Sequence, residues 1–554
     1  MRATLAFVNG RVLVEPSSAT TAGAVALEGD RVLAVGTTEE IRGCIGPRTE
    51  VVDLAGRRVL PAFGDAHVHA LNGGLEMRRC NLLGLRTRRE CLDAIARYSA
   101  GLAPDAWVLG GGWAMEAFPR GLPSAEDLDA ACGGRPAFLP NRDHHSAWVS
   151  TVALALAGID RTTPDPSDGR IERDEAGRPI GVLHEGAMSL VSRLAPRASP
   201  DELRAALDVA TDELASLGIT FFQDACVGDA RELGVFDTFD CYRDAARDGT
   251  LGSEVVGALW WDRRRGLEQL TDLLGRREAA SEGRFRATSV KIMLDGVCET
   301  YTAAMTEPYV GLGPGHEHDR GELFLSPEEV TAAVAALDGA DFQVHFHALG
   351  DRAVHVGLDA IEALPVERRG RGRHHLAHLQ FIRPEDIARF RRLGVTANFQ
   401  PLWACAEPQM EELTLPFVGP ERATWQYRIA SVLAAGGRVA FGSDWPVSSP
   451  DPIQEIHVAV NRRLSTRLGR VGAPETEVPF LPEEAIPVAT AIAAFTEGVA
   501  RVNGCEDRRG TLQVGKQGDL VILDQDILTV PPGEIGDTSV TCTVAGGKFV
   551  HGAP

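Results

Sequence analysis

The feature that most constrains this chain is a series of eight apolar, strand-like runs separated in many places by helix-like segments. The first passes from Arg57-Arg58-Val59-Leu60 into Pro61-Ala62-Phe63-Gly64-Asp65-Ala66-His67-Val68-His69. The others are Gly218–Asp224, Glu254–Trp260, Ala287–Asp295, Phe342–His347, His374–Phe381, Gly394–Gln400 and Arg438–Asp444. Segments such as Asp201–Leu217, Pro327–Leu337 and Asp351–Leu364 read as helices between them. Parallel strands need long crossovers, usually helical. Eight such units predict an α/β chain built on a (β/α)8 TIM-like barrel, with its chemistry at the C-terminal ends of the strands.

The two chain ends follow a different rhythm. Leu5–Val8, Arg11–Val14, Ala24–Leu27, Arg31–Val35 and Glu50–Asp53 are short β-rich pieces, and Asn9-Gly10 and Gly29-Asp30 carry tight-hairpin chemistry. A similar pattern returns in Gly510–Leu523 and Ser539–Val550. The expectation is a composite β-sandwich from residues 1–60 and 501–554, with the barrel in 61–75 and 201–500. The interval 76–200 is too long for a crossover and is read as an inserted substrate-side subdomain over the barrel mouth. Within it, Trp107–Leu109 and Ala137–Leu139 read as strands, Gly110-Gly111-Gly112-Trp113 as a turn, Ala147–Ala157 as a helix and Thr162–Arg178 as a mobile loop.

Composition narrows the function. At 554 residues, with 44% apolar and 24% charged residues, the chain suits a soluble globular protein with a large core. A net charge of −21 disfavours a nucleic-acid groove or an anionic membrane surface. The start lacks a signal-peptide pattern, so a cytoplasmic location is expected. The expected partners are a small-molecule substrate and, as one option, a second copy in a homodimer, with no nucleic acid and no membrane. The ten cysteines include no C-x-x-C pair, so free thiols are expected. Cys298 and Cys405 lie near strand ends, where packing is favoured over a nucleophilic role.

Metal-ligand residue types then fall at strand ends one, four, five, six and eight. His67 and His69 are two apart, so on a strand they share a face at roughly 6.6–7 Å and can converge on one ion. Lys291, His347, His378 and Asp444 occupy the later ends. Any one buried histidine is normally a hydrogen-bonded core residue; the set, facing one axis, points to metal. His345 shares the face of His347 and is read as a supporting or deeper barrel residue, and His316 and His318 as loop residues.

These stretches resemble the amidohydrolase superfamily, specifically its YtcJ-like branch (amidohydrolase family 3), which includes N-substituted formamide deformylases. The resemblance spans nearly the whole chain. It rests on Val51–Pro61 before the HxH, Val290-Lys291-Ile292 with Asp295-Gly296, and His347-Ala348-Leu349-Gly350-Asp351. Gln400-Pro401, Gly442-Ser443-Asp444-Trp445-Pro446-Val447, Gly510–Leu520 and Asp143-His144-His145-Ser146-Ala147-Trp148-Val149 carry it further. It implies that His67, His69 and Asp444 hold the more buried of two divalent ions, zinc being expected, and that His347 and His378 hold the second. Lys291 would bridge them as an N-carboxylated lysine, since an ammonium has no lone pair to give. The alternative is one metal with Lys291 as a positive group.

The expected reaction is metal-assisted hydrolysis of a C–N, amide-type bond, with Asp444 as acid and base. His145 is the expected catalytic and substrate-side hydrogen-bond donor, and Trp113 and Trp148 are expected to line or brace the pocket. Ester hydrolysis, decarboxylation or isomerisation on the same site, and a non-catalytic binding protein, remain alternatives. A nucleophilic hydrolase is weaker, since no G-x-S-x-G elbow is evident. The chain departs from the branch pattern at Pro61-Ala62-Phe63-Gly64, at Ser150 and at Cys298-Glu299-Thr300; the last two bear on substrate identity.

Overall fold

A computed structural model describes residues 2–230, 236–281, 283–313 and 315–553. Eight parallel strands form one sheet in chain order: β1 (Phe63–Val68), β2 (Ile219–Val227), β3 (Glu254–Trp260), β4 (Phe285–Met293), β5 (Gln343–Ala348), β6 (His375–His378), β7 (Thr396–Phe399) and β8 (Arg438–Phe441). Each pairs with the next, so the sheet curls round until β8 faces β1. All residues of β1 and β2 are buried, as expected for parallel strands covered on both faces.

The seam is held by one carboxylate. Asp65 Oδ1 accepts the backbone N–H groups of His67 (2.9 Å) and Ser443 (3.1 Å), and its Oδ2 accepts the Ser443 hydroxyl at 2.6 Å. The Asp444 N–H then donates to the His67 carbonyl at 2.7 Å, and the His69 N–H to the Trp445 carbonyl at 2.8 Å. Gly442 permits this approach, because a Cβ there would lie 2.5 Å from the His67 nitrogen.

The helices between strands start where the sequence supplies caps. Pro200–Ser216 begins at Ser199, whose side chain accepts the Glu202 N–H, with Pro200 in the first turn. It buries Ala206, Leu207, Ala210 and Leu214, one face at helical spacing. That face packs on Ala70–Arg78 at Gly74, where a Cβ would meet the Ala206 carbonyl oxygen at 2.0 Å. Burying each such leucine is worth about 1.5–3 kcal/mol, so the outer layer is fixed chiefly by its inward stripe.

The chain ends meet in a six-stranded sheet ordered Lys548–His551, Val540–Ala545, Leu520–Leu523, Arg58–Pro61, Arg11–Glu15 and Thr20–Ala22. A four-stranded sheet of Arg31–Gly36, Ala24–Glu28, Leu5–Val8 and Glu50–Asp53 belongs with it, the two sharing a core that includes Phe7, Val12, Val25 and Ile522. Gly29-Asp30 does turn a hairpin. Asn9-Gly10 does not: Leu5–Val8 and Arg11–Glu15 lie in different sheets, so this turn hands the chain from one sheet to the other.

Residues 80–185 contribute a further six-stranded sheet, ordered Gly169–Arg173, Pro179–Glu185, Ser146–Val149, Ala137–Pro140, Val108–Gly111 and Cys80–Asn81. Three expectations change here. Ser146–Val149 is a strand, and the helix starts only at Thr151 because the Ser150 hydroxyl caps it by accepting the Ala153 N–H. The stretch expected as a loop at 162–178 contains Gly169–Arg173, which pairs antiparallel with Pro179–Glu185. Gly110 and Gly111 likewise belong to a strand. No described helix is long and apolar enough to cross a membrane.

Candidate metal centre and active site

The strand ends deliver His67, His69, Lys291, His347, His378 and Asp444 to one chamber of about 50 Å³, which His145 also lines. Asp444 Oδ1 lies 3.2 Å from His67 Nε2 and 3.1 Å from His69 Nε2, and its Oδ2 3.8 Å from His378 Nδ1. Ligand atoms of His67, His378 and Asp444 all lie within 4.8 Å of one another. The His347 and His378 rings are 4.5 Å apart, and Lys291 Nζ is 3.3 Å from His67 Nε2. Two of these positions store backbone strain: His378 and Asp444 have φ of +77° and +55°.

The donor set fits a metal ion. Both ring nitrogens of His378, and Asp444 Oδ1, are buried without a hydrogen-bond partner. Leaving such atoms bare is costly, and a cation bound by their lone pairs would satisfy them. Protonation is set accordingly. Burial, reinforced by the charge of Lys291, takes the His67 imidazolium down to about 3. Burial lowers Lys291 to about 8, which favours the neutral amine that carboxylation by CO2 requires.

Beneath the ligands, hydrogen bonds fix the tautomer of His67. Gln343 Nε2 donates to the carbonyls of Arg373 (2.8 Å) and Val502 (2.7 Å), so its Oε1 faces Gln223 as an acceptor. Gln223 Nε2 donates to that oxygen, which turns Gln223 Oε1 towards two histidines, His345 Nδ1 at 2.7 Å and His375 Nε2 at 3.0 Å. Both must donate. Burial keeps His345 neutral, so its Nε2 is bare and accepts the Nδ1–H of His67 at 2.8 Å. The proton of His67 therefore sits on Nδ1, and Nε2 offers a lone pair towards Asp444 and Lys291.

His145 reaches the chamber from the inserted sheet. Ser146 pairs with His184, which sets His145 beside Glu185; the Glu185 N–H donates to the His145 carbonyl at 3.1 Å. His145 Nδ1 lies 2.8 Å from Glu185 Oε1, which also accepts the Thr302 hydroxyl at 2.8 Å. Burial opposes charge on this ring, yet Glu185 prevails and carries the pKa up to about 9. Glu185 thus favours the protonated form of His145, with Nδ1 engaged, and the His145 ring centroid lies 5.3 Å from that of His347.

Trp113 and Trp148, expected at the substrate, lie elsewhere. Both are fully buried in the inserted unit, with indole N–H groups donating to the carbonyls of Leu139 and Ser124, each at 2.8 Å. Their rings pack on each other and on Phe118. The tryptophans that do line the chamber are Trp260 and Trp403, the latter stacked on His378 at 5.3 Å and 4°. Cys298 and Cys405 are buried, and burial raises both thiols well above their ordinary pKa, against nucleophilic use. His316 and His318 lie in an exposed loop. Gln223, His375 and Glu185 had no assigned role in the sequence; Gln223, a polar residue in the middle of a buried strand, and Glu185, in His184-Glu185-Gly186, were the available signals.

A model of the amidohydrolase family matches residues 50–551. The protein LONG AFTER FAR-RED 3 of Arabidopsis thaliana is 30% identical over 99% of this chain and 92% of its own. The N-substituted formamide deformylase of Arthrobacter pascens is 26% identical over 98% of this chain and 97% of its own. Among solved structures, an uncharacterized metal-dependent hydrolase from Pyrococcus furiosus is 25% identical, with a TM-score of 0.69 over 95% of this chain and 100% of its own.

Proposed function

The chain belongs to the amidohydrolase family and is a hydrolase, and from that premise we propose that it cleaves a C–N, amide-type bond of a small organic molecule. The observation that carries the proposal is the buried convergence of His67, His378 and Asp444, with unsatisfied ligand atoms, beside the charged donor His145. His67, His69 and Asp444 would hold one divalent ion and His347 and His378 a second, with Lys291 joining them once carboxylated. When bound, such an ion lowers the pKa of a water and polarises a carbonyl.

The chain's own groups do the rest. Asp444 is ionised at rest and accepts the proton of the attacking water, then returns it to the leaving nitrogen. His145 donates from Nε2 to the oxygen that gains charge, its cationic form held by Glu185.

The test is elemental analysis of protein purified without chelator, with turnover of matched N-formyl amides, esters and carboxylic acids. The expected result is zinc or another first-row divalent ion and preferential amide cleavage. Less than half an equivalent of metal, with no activity after metal is added, would refute the proposal; preference for esters or acids would reassign the reaction.

A further inference from the structure

The chamber of about 50 Å³ adjoins a vestibule of about 900 Å³, which has room for the part of a substrate beyond its reacting atoms. The two cavities share Asp143, Val297, Leu349, Trp403 and Val447 as lining. Two vestibule carboxylates, Asp143 and Glu299, form no ion pair among the described residues. Asp143 Oδ1 accepts the His145 N–H at 2.9 Å and Glu299 Oε1 the Thr414 hydroxyl at 3.0 Å, both neutral donors. Arg142, next to Asp143, is engaged by Glu116 at 3.3 Å and Glu407 at 3.8 Å. Burial, and then the charge of Asp143, push the Glu299 carboxyl up to about 7; Arg142, whose guanidinium feels both carboxylates, is committed first to Glu116 and Glu407.

A separate feature points to a ligand. Gln380 is 1% exposed and lines the same vestibule. Its Nε2 donates to Gln426 at 3.1 Å, while its Oε1 has no partner. An N–H from a ligand would satisfy that oxygen. The Trp403 ring adds a surface that attracts cations, and the net charge of −21 favours their approach.

We propose that the vestibule selects amide substrates bearing a cationic group, an ammonium or amidinium, seated against Asp143, Glu299 and Gln380. The inference rests on the amidohydrolase reading, since it names the substrate class of that site.

Two measurements on the metal-loaded full chain test it. The first compares kcat/KM for N-formyl-1,4-diaminobutane, N-formylpentylamine and N-formyl-4-aminobutanoate, which are cationic, neutral and anionic. The cationic probe should be preferred, and Glu299→Gln should cut the cationic-to-neutral ratio at least about tenfold, as loss of a charged hydrogen bond does. Glu299→Lys should shift preference towards the anionic probe.

The second is calorimetric binding of benzamidine against benzoate and benzyl alcohol. Benzamidine should bind best, and about tenfold more weakly to Glu299→Gln. Should that variant melt early, Gln380→Met, which removes the free acceptor, should weaken benzamidine in the same direction. Glu299-dependent benzamidine binding with no amide turned over would keep the cation-binding vestibule and reject the hydrolytic reading. Amide turnover without cationic preference, or benzamidine binding that is absent or indifferent to both variants, would overturn it.

Discussion

At the scale of single residues, the proposed site gives Asp444 two roles, metal ligand and proton acceptor, that substitution can separate. Asp444→Asn keeps an oxygen for the ion but removes the proton acceptor. Metal content should survive while turnover falls roughly 10²–10⁴-fold, and near-normal turnover would leave Asp444 as a ligand only. Lys291→Ala should lose both metal and turnover, and added formate should restore part of each by supplying oxygens in the gap. Failure of formate, with metal intact, would favour one ion and Lys291 as a positive group. The relay under His67 makes a separate claim. Gln223→Leu frees His345 to carry its proton on Nε2, which would turn His67 Nε2 away from metal binding. Affinity measured by chelator competition should drop about 10–100-fold, whereas Gln223→Glu, still an acceptor, should retain most of it. Equal losses in both variants would reduce Gln223 to a packing residue. The candidate ligands were legible because histidines at strand ends have few other reasons to recur; the relay was not, since Gln223, His345 and His375 come from three strands whose adjacency exists only in the barrel.

At the scale of elements, the chain ends are joined by a nearly buried ion pair. Asp526 accepts both Arg58 Nε and Nη2 at 2.7 Å and also Arg11 at 2.9 Å. Burial would raise this carboxyl, but Arg58 and then Arg11 bring it down to about 2. A depressed carboxyl contributes stability that is complete above its unfolded pKa, near 4, and is lost as pH falls through about 2. Its worth at neutral pH is about 2 kcal/mol. Asp526→Asn should therefore lower stability at pH 7 by about that much, with the gap from the parent closing between pH 4 and 2 in urea titrations. A gap independent of pH would mean that packing, not charge, is lost. The inserted sheet shows how register overrides local reading. Trp148 stands opposite Leu139, which turns both indoles inward and leaves His145, three residues earlier, at the chamber.

At the scale of the whole molecule, metal binding and folding should be coupled, because ligands from β1, β4, β5, β6 and the end of β8 meet at one point. An ion bound only by the folded state stabilises it by mass action. Removing metal with a chelator should lower the melting temperature, and excess zinc should restore it; an unchanged melting temperature with metal demonstrably removed would place the ion outside the structural core. The strands arranged round that point are closed by Asp65 and Ser443, so the seam and the metal centre share β1 and the start of the segment after β8.

The sequence by itself indicated the barrel, the joining of the two chain ends and the six strand-end residues that the structure gathers in one chamber. Each follows from local periodicity and from residue types rarely placed at strand ends without cause. Only the tertiary structure decided that Asn9-Gly10 links two sheets, that Trp113 and Trp148 are core, that Glu185 charges His145, and that Gln223 orients His67. Those outcomes depend on which segments become neighbours, and a buried side chain takes its role from the partner that satisfies its polar atoms, which adjacency in the chain does not reveal.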